Sequence, residues 1–254
     1  ANLEANTQHV LKTGKPFETE EETIFANGER RTQLSVLFPI FDEHGAITGS
    51  GVIATDITRR KQVEEQQQRQ VRHQTALARC SQTLLQPAAS PQEQQQVLSH
   101  ALEHLRDGAQ AHRAYLFRNF DDAERGFCSG IVAEAYLPGY GPYIDHPPSQ
   151  RIPWSMVPAH NRKLLQAGQP CGGPGDSLFA SVPQLLPSII QPDIPVFSMQ
   201  FFPIHFDEQW WGYIGFDDCA TARHWDEQEI TLLRVCAEMI GNVLQRWSAQ
   251  EALH

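Results

Sequence analysis

The chain has 254 residues, a formal net charge of −10, 41% hydrophobic residues and 20% charged residues. That length accommodates about two domains, and the acidic balance excludes a broad nucleic-acid surface, whose affinity comes largely from Lys and Arg. No apolar run approaches the ~18–20 residues of a membrane span, and the opening "ANLEANTQHVLKTG" lacks the basic start and apolar core of a signal peptide and reads as if it began inside a domain.

Residues 3–13 read as a short helix closed by Gly14, a common C-terminal stop. Three strand candidates follow: "PFETEEETIF", "ERRTQLSVLFPIF" and "AITGSGVIAT". Asn27-Gly28 separates the first two, a strong hairpin signal because both residues tolerate positive φ. "DEHG" at 42–45 separates the second and third, so a three-stranded antiparallel meander is expected. Leu34, Val36 and Phe38 alternate, which predicts one buried face. Residues 57–86 contain no helix breaker. Val63, Gln70, Leu77 and Leu84 fall seven apart, with Val71, Ala78 and Leu85 one position on, a thin heptad seam that fits a marginal coiled coil or a solvated connecting helix.

Past Pro87 and Pro91, residues 92–107 carry Val97, Leu98, Ala101, Leu102 and Leu105 at helical spacing. "HRAYLFRNF" and "FCSGIVAEAY" read as strands joined by the turn "DDAERG". "LPGYGPYIDHPPSQRIPW" is too rich in Pro and Gly for a regular element. A helix is expected near 157–167, ended by Gly168, and 170–193 reads as loop with one short helix around Val182 to Leu186. "PVFSMQFFPIHF" and "WWGYIGFDD" form a hairpin across "DEQ", and a closing helix spans 226–250. Asp226 and Glu229 make an acidic capping box at its start. Ile230, Leu233, Ala237, Ile240, Leu244 and Trp247 give it one apolar stripe, and Val235, Met239 and Val243 a second, which predicts two partners: its own sheet and a second subunit.

"VLKTGKPFETEEETIFANGERR", "FPIFDEHGAITG" and above all "GVIATDITRRK" resemble the C-terminal half of a PAS domain, whose last strand ends in Asp-Ile-Thr before an outgoing signalling helix. The resemblance covers residues 1–57 and makes Asp56, Ile57 and Thr58 the signal-coupling residues, with Asp56 or Thr58 capping the helix. The opening strands and most of the helical segment of a PAS fold are absent from the match, so no ordinary PAS pocket is expected here. Residues 58–86 are the connecting helix. Residues 87–254 resemble a GAF domain, most specifically over "FFPIHFDEQWWGYIGFDDCATARHWDEQEITLLRVCAEMIGNVLQR". The fold implied is α+β: a three-stranded partial PAS sheet, a long connecting helix, then a GAF domain with an antiparallel sheet and helices packed on it.

Several motifs carry little. "FDE" at 206–208 and "FDD" at 216–218 match part of the pattern of cyclic-nucleotide GAF domains without its Asn-Lys, and read as turn and strand-end acids. The five cysteines, Cys80, Cys128, Cys171, Cys219 and Cys236, contain no C-x-x-C and read as reduced thiols of a cytoplasmic protein. None precedes a His, as the thioether cysteine of a bilin-carrying GAF domain often does; Cys171 is followed by Gly172-Gly173. "GGPGD" at 172–176 and "EHLRDG" around His104 lack the rest of a cyclase signature and of a phosphoacceptor box. The eleven histidines show no metal-ligand spacing, and no cofactor is identified.

The candidate ligand-binding residues are Tyr136, Trp154, Met156 and Phe179 of the Pro/Gly-rich excursion, with Met199 and Phe201 on the adjacent strand; together they fit a small, partly apolar ligand, and equally ordinary core packing. The resemblance to bacterial multi-domain sensors implies a non-catalytic sensory fragment. It would relay change through dimeric helices to a histidine kinase or diguanylate cyclase in cis, with no nucleic-acid partner. The alternatives are a dimerisation spacer without ligand, or a GAF-type methionine sulfoxide reductase using Cys128 and Cys171.

Overall fold

A computed structural model describes residues 3–25, 28–174, 194–206 and 209–251. The chain divides into two compact units, 1–71 and 72–254. The division falls inside a helix rather than at the ends of the expected connector.

The first unit opens with α1 (Leu3–Thr13), which Gly14 closes at φ 65° by donating its N–H to Val10 O at 2.9 Å. Strands β1 (Phe17–Ile24), β2 (Arg30–Phe41) and β3 (Ile47–Asp56) then form the expected antiparallel meander in the order β1-β2-β3. Asn27 lies outside the described residues; Gly28 has φ 80°, as the hairpin reading requires. The core is small: among the described residues of this unit only Val10, Leu37 and Ile57 are buried apolar side chains. Leu34, Val36 and Phe38 are only half-buried; α1 packs on this sheet, where Leu37 is the buried apolar residue of β2.

Helix α2 (Thr58–Leu84) begins one residue after β3 ends. Its C-terminal half buries Ala76, Cys80, Thr83 and Leu84, one stripe at helical spacing. The heptad seam therefore does not act as a single seam. Leu84 sits in the second unit's core, while Val63, Val71 and Leu85 are exposed.

The second unit contains α3 (Pro91–Ala109), β4 (Arg113–Asp122), β5 (Gly126–Tyr136), β6 (Ile152–Pro153), α4 (Ala159–Gln166), β7 (Cys171–Pro174), β8 (Ser198–Phe206), β9 (Gln209–Asp218) and α5 (Glu227–Glu251). The sheet runs β6-β5-β4-β9-β8-β7, antiparallel throughout. Two elements correct the sequence reading. The Pro/Gly-rich stretch contains β6 and short 3₁₀ turns at Pro147–Gln150 and Trp154–Met156, where Pro sits in first turns or at an edge and no donor is lost. The segment read as loop from 170 opens with β7, whose glycines pair with Gln200 and Met199. Asp207, Glu208 and the helix expected at 182–186 lie outside the described residues.

Helices α3 and α5 cover one face of the sheet. Ser90 and Glu93 form a reciprocal capping box at the start of α3, and Asp226 and Glu229 do the same for α5 at 3.0 and 2.8 Å. All five apolar positions read for α3 are buried. In α5 the second stripe is largely spent inside the unit: Val243 is buried, Met239 packs against the core, and only Val235 is exposed. The own-sheet partner expected of this helix is β8, and within its unit it also packs against α3 and meets Cys80 and Leu84 of α2 through Cys236 and Arg246.

Candidate functional site

Period-two alternation sorts the sheet residues between two environments. Ala114, Leu116, Phe202, Ile204, Ile214 and Phe216 join the helix-side core. Tyr115, Phe117, Met199 and Tyr213 point the other way and pack under the excursion with Tyr143, Ile152 and Trp154. The second face holds nearly all of the site chemistry.

Its aromatic part is continuous. Phe117 stacks on Tyr213 with centroids 5.1 Å apart, Phe201 meets Tyr213 edge-on at 5.7 Å, and Trp154 meets Tyr213 and Trp210 at 5.6 and 4.3 Å. Trp154 is anchored because its Nε1–H donates to Asn119 Oδ1 at 2.9 Å. Beside this edge a cleft of about 470 Å³ opens between Arg125–Phe127, Trp154–Ser155 and Arg162 and Gln166 of α4.

The polar part lies at the other end of β4. Arg113 and Asp217 are cross-strand partners on β4 and β9, each 1% exposed, with Arg113 Nε 4.0 Å from Asp217 Oδ2. The guanidinium lies over the Tyr143 ring. Tyr115 donates its hydroxyl to Asp217 Oδ1 at 2.7 Å. Among the described residues, Arg113 Nε, Nη1 and Nη2, Asp217 Oδ2 and the Tyr143 hydroxyl find no hydrogen-bond partner. Burial pushes the Asp217 carboxyl up to about 6, against the pull of Arg113 and of the Tyr115 hydroxyl. Burial likewise pushes the Tyr143 and Tyr115 phenols upward, so both are neutral donors. Gly215 makes room for this arrangement: Tyr115 lies across it, and a Cβ there would come within 2.0 Å of the ring. The excursion is held down by Glu134 of β5, whose carboxylate accepts the N–H groups of Tyr143 at 2.8 Å and Ile144 at 3.0 Å.

The candidate residues divide accordingly. Trp154 and Met199 are each 3% exposed in the aromatic cluster, and Phe201 borders it. Tyr136 and Met156 are 37% and 40% exposed and are not among its members. Phe179 lies outside the described residues. Arg113, Tyr115, Glu134, Tyr213 and Asp217 were missed. The signal was present in the strand patterns: in "HRAYLF" and "YIGFDD" a charge occupies the same alternate face as the aromatics. Asp217 and Asp218, read as strand-end acids, are both buried, and Asp218 accepts the N–H groups of Ala220 and Thr221 at 2.9 Å.

Cys128 is on β5 and Cys171 on β7, with three strands between them, roughly 19 Å at ~4.8 Å per strand. Burial raises both thiols, Cys171 to about 12, the opposite of a reactive thiolate. All five cysteines are free and buried. Among the described residues there is no group of His, Cys, Asp or Glu able to hold a metal, and no helix long and apolar enough to cross a membrane.

At the unit-one junction, Asp56 Oδ1 accepts the Thr58 N–H at 2.9 Å, so Asp56 supplies the cap. The hydrogen bonds from Thr58 hold its carboxyl below the usual range. The Thr58 hydroxyl accepts the Thr32 N–H of β2 at 2.9 Å, Ile57 donates to Thr32 O at 2.9 Å, and Ile57 itself is 5% exposed.

Comparison with known proteins places this architecture. The PAS fold family matches residues 1–62, and the GAF domain family matches residues 93–244. The chain is 29% identical over 238 residues, 92% of its length, to the methanogenesis regulatory histidine kinase FilI of Methanothrix harundinacea (strain 6Ac), and spans 25% of that relative. Among solved structures it is similar to the phycocyanobilin-bound GAF domain from a cyanobacterial phytochrome, with TM-score 0.56 and 14% identity over 72% of this chain and 98% of that one. It is also similar to the GAF domain of an Acinetobacter phosphoenolpyruvate-protein phosphotransferase, with TM-score 0.51 and 11% identity over 68% of this chain and 93% of that one. At those identities the likeness is one of fold.

Proposed function

This chain belongs to the GAF domain family, and from that premise we propose that it is a non-catalytic sensory and relay segment of a signal-transduction protein. The GAF unit takes up a small ligand on the excursion side of its sheet. The change passes along dimeric helices to an output domain in cis, a histidine kinase in preference to a diguanylate cyclase. The likeness to FilI supports the kinase, across 92% of this chain and 25% of that one.

The observation that carries the relay is the junction at Asp56-Ile57-Thr58. Only Ile57 separates β3 from α2, and hydrogen bonds from Ile57 and Thr32 tie it to the sheet at both sides. A flexible loop would absorb rotation; a helix that starts on the sheet transmits it. Val63 and Val71 stand 46% and 61% exposed on the first half of α2, which supports pairing of this helix with a second copy. So few apolar contacts make a weak pair, which a two-state switch can use. Sedimentation equilibrium at tens of micromolar tests this: a dimer is expected, converted to monomer by Val63→Glu with Val71→Glu. A monomeric parent chain refutes the dimeric relay.

A ligand-free dimerisation spacer is the second reading, favoured by the depth at which Trp154 and Met199 are already packed. Native mass spectrometry of the purified chain separates the two. A co-purifying mass supports the sensor, and empty protein across preparations supports the spacer.

A further inference from the structure

Arg113 interrupts an aromatic strand face with a charge it cannot lose, since a guanidinium stays protonated in proteins. It is 1% exposed, its face is taken by the Tyr143 ring and its Nε forms a long ion pair with Asp217 Oδ2 at 4.0 Å, yet among the described residues none of its three nitrogens makes a hydrogen bond of ordinary geometry. Buried polar groups are almost always hydrogen-bonded, and an exception in a sensory fold calls for a partner. Asp217 does not satisfy the need: it lies beyond hydrogen-bond distance, and one of its oxygens is already engaged by Tyr115.

Resting on the reading of the GAF unit as a small-ligand sensor, we propose that Arg113 anchors a small aromatic or aliphatic carboxylate through its two terminal nitrogens. Those nitrogens present the paired, planar donors that a carboxylate accepts bidentately. Phe117, Phe201 and Tyr213, continuous on the same sheet face, receive the apolar body. A carboxylate beside Asp217 adds one negative charge, which proton uptake by that already raised carboxyl offsets, whereas a doubly charged phosphate adds two. Because the Tyr143 ring lies on the guanidinium, the ligand takes its place there when the Tyr143–Ile144 segment lifts from the Glu134 carboxylate. Occupancy is thereby coupled to a movement of the excursion.

The test is thermal unfolding of the whole chain with 10 mM sodium benzoate or phenylacetate. Benzamide, phenylacetamide, sodium chloride and inorganic phosphate serve as comparisons. The carboxylates are expected to raise Tm by about 3 °C, and the comparisons to leave it unchanged. In the double variant Arg113→Met/Asp217→Asn, which removes both buried charges together, the response is expected to vanish. Arg113→Lys keeps the charge without the fork, and is expected to need at least about tenfold more carboxylate for half the effect. No shift in the parent chain, an equal shift from phosphate, or full retention of the response in the variants overturns the proposal. Neutral amides that stabilise both parent and double variant overturn it too, while leaving the small-ligand reading standing.

Discussion

Replacing Gly215 with Ala perturbs the site at its tightest point. The new methyl would lie 2.0 Å from Tyr115 Cε2, 2.5 Å from Cζ and 2.8 Å from the hydroxyl. Carbon atoms pack at about 3.5–4.0 Å, so the Tyr115 ring has to retreat by about 1.5 Å. It is enclosed by Phe117 at 5.5 Å and Tyr143 at 6.3 Å, centroid to centroid. A retreat of that size also breaks the 2.7 Å bond from Tyr115 to Asp217. Overpacking costs about 1–3 kcal/mol, and a lost bond to a charged acceptor about 1.5–3 kcal/mol. The smaller unfolded-state entropy of Ala offsets about 0.4–1 kcal/mol. The net expectation is a loss of about 1.5–5.5 kcal/mol, or a fall in Tm of roughly 3–20 °C. Urea and thermal unfolding of the variant measure it, and a double-mutant cycle with Tyr115→Ala locates it. If the damage runs through the Tyr115 ring, the double variant is no less stable than Tyr115→Ala alone, a coupling of at least about 1.5 kcal/mol. A single variant within about 0.5 kcal/mol of the parent, or additive effects, refutes the reasoning.

Asp217 makes stability pH-dependent in a definite direction. Its carboxyl titrates near 6 in the fold against an ordinary 3.8, so the stabilisation from its protonated form is complete below 3.8 and lost as pH rises through about 6. That difference is worth about 3 kcal/mol. The stability of Asp217→Asn minus that of the parent should therefore shift in favour of the variant between pH 4 and pH 7 and then level off; a flat difference would remove the assignment. Glu134→Ala frees the N–H groups of Tyr143 and Ile144, and their hydrogen exchange should quicken by about tenfold or more while Glu134→Gln retains part of the protection. Unchanged exchange would mean that Glu134 does not hold the excursion. Ser90→Ala removes the α3 cap and should lower stability by about 1 kcal/mol, some 2–4 °C in Tm; an unchanged Tm would discount the capping box.

The fold was legible wherever periodicity was local. The five buried positions of α3, the meander of the first unit and the closing helix with its Asp226 box all follow from spacing and turn chemistry. Strand β7 was hidden because "CGGP" has no strand propensity of its own and exists by pairing with β8. The second stripe of α5 pointed to a further partner, and Val243 and Met239 are largely taken up in the core of the same unit, a placement no window of α5 alone contains. The aromatic half of the candidate site was partly visible, since Trp154, Met199 and Phe201 are conspicuous by type. The polar half was not, because Arg113 and Asp217 stand far apart in sequence and meet only through the register of β4 on β9.

That register ties fold to function. Along β4, Ala114 and Leu116 fill the helix-side core while Arg113, Tyr115 and Phe117 face the excursion. Along β9, Ile214 and Phe216 answer on one side, and Tyr213 and Asp217 on the other. A slip of one residue exchanges the two sets. It would drive Arg113 or Asp217 into the helix-side core without the other, and would force one aromatic row into the space now filled by Ala114 and Leu116 or by Ile214 and Phe216. The same alternation that makes the helix-side core dry therefore fixes the buried charge pair under the excursion. Selection against register errors and selection for the site act on the same residues. The charge pair need not stabilise the unit to be retained; it is enough that every competing register strands it.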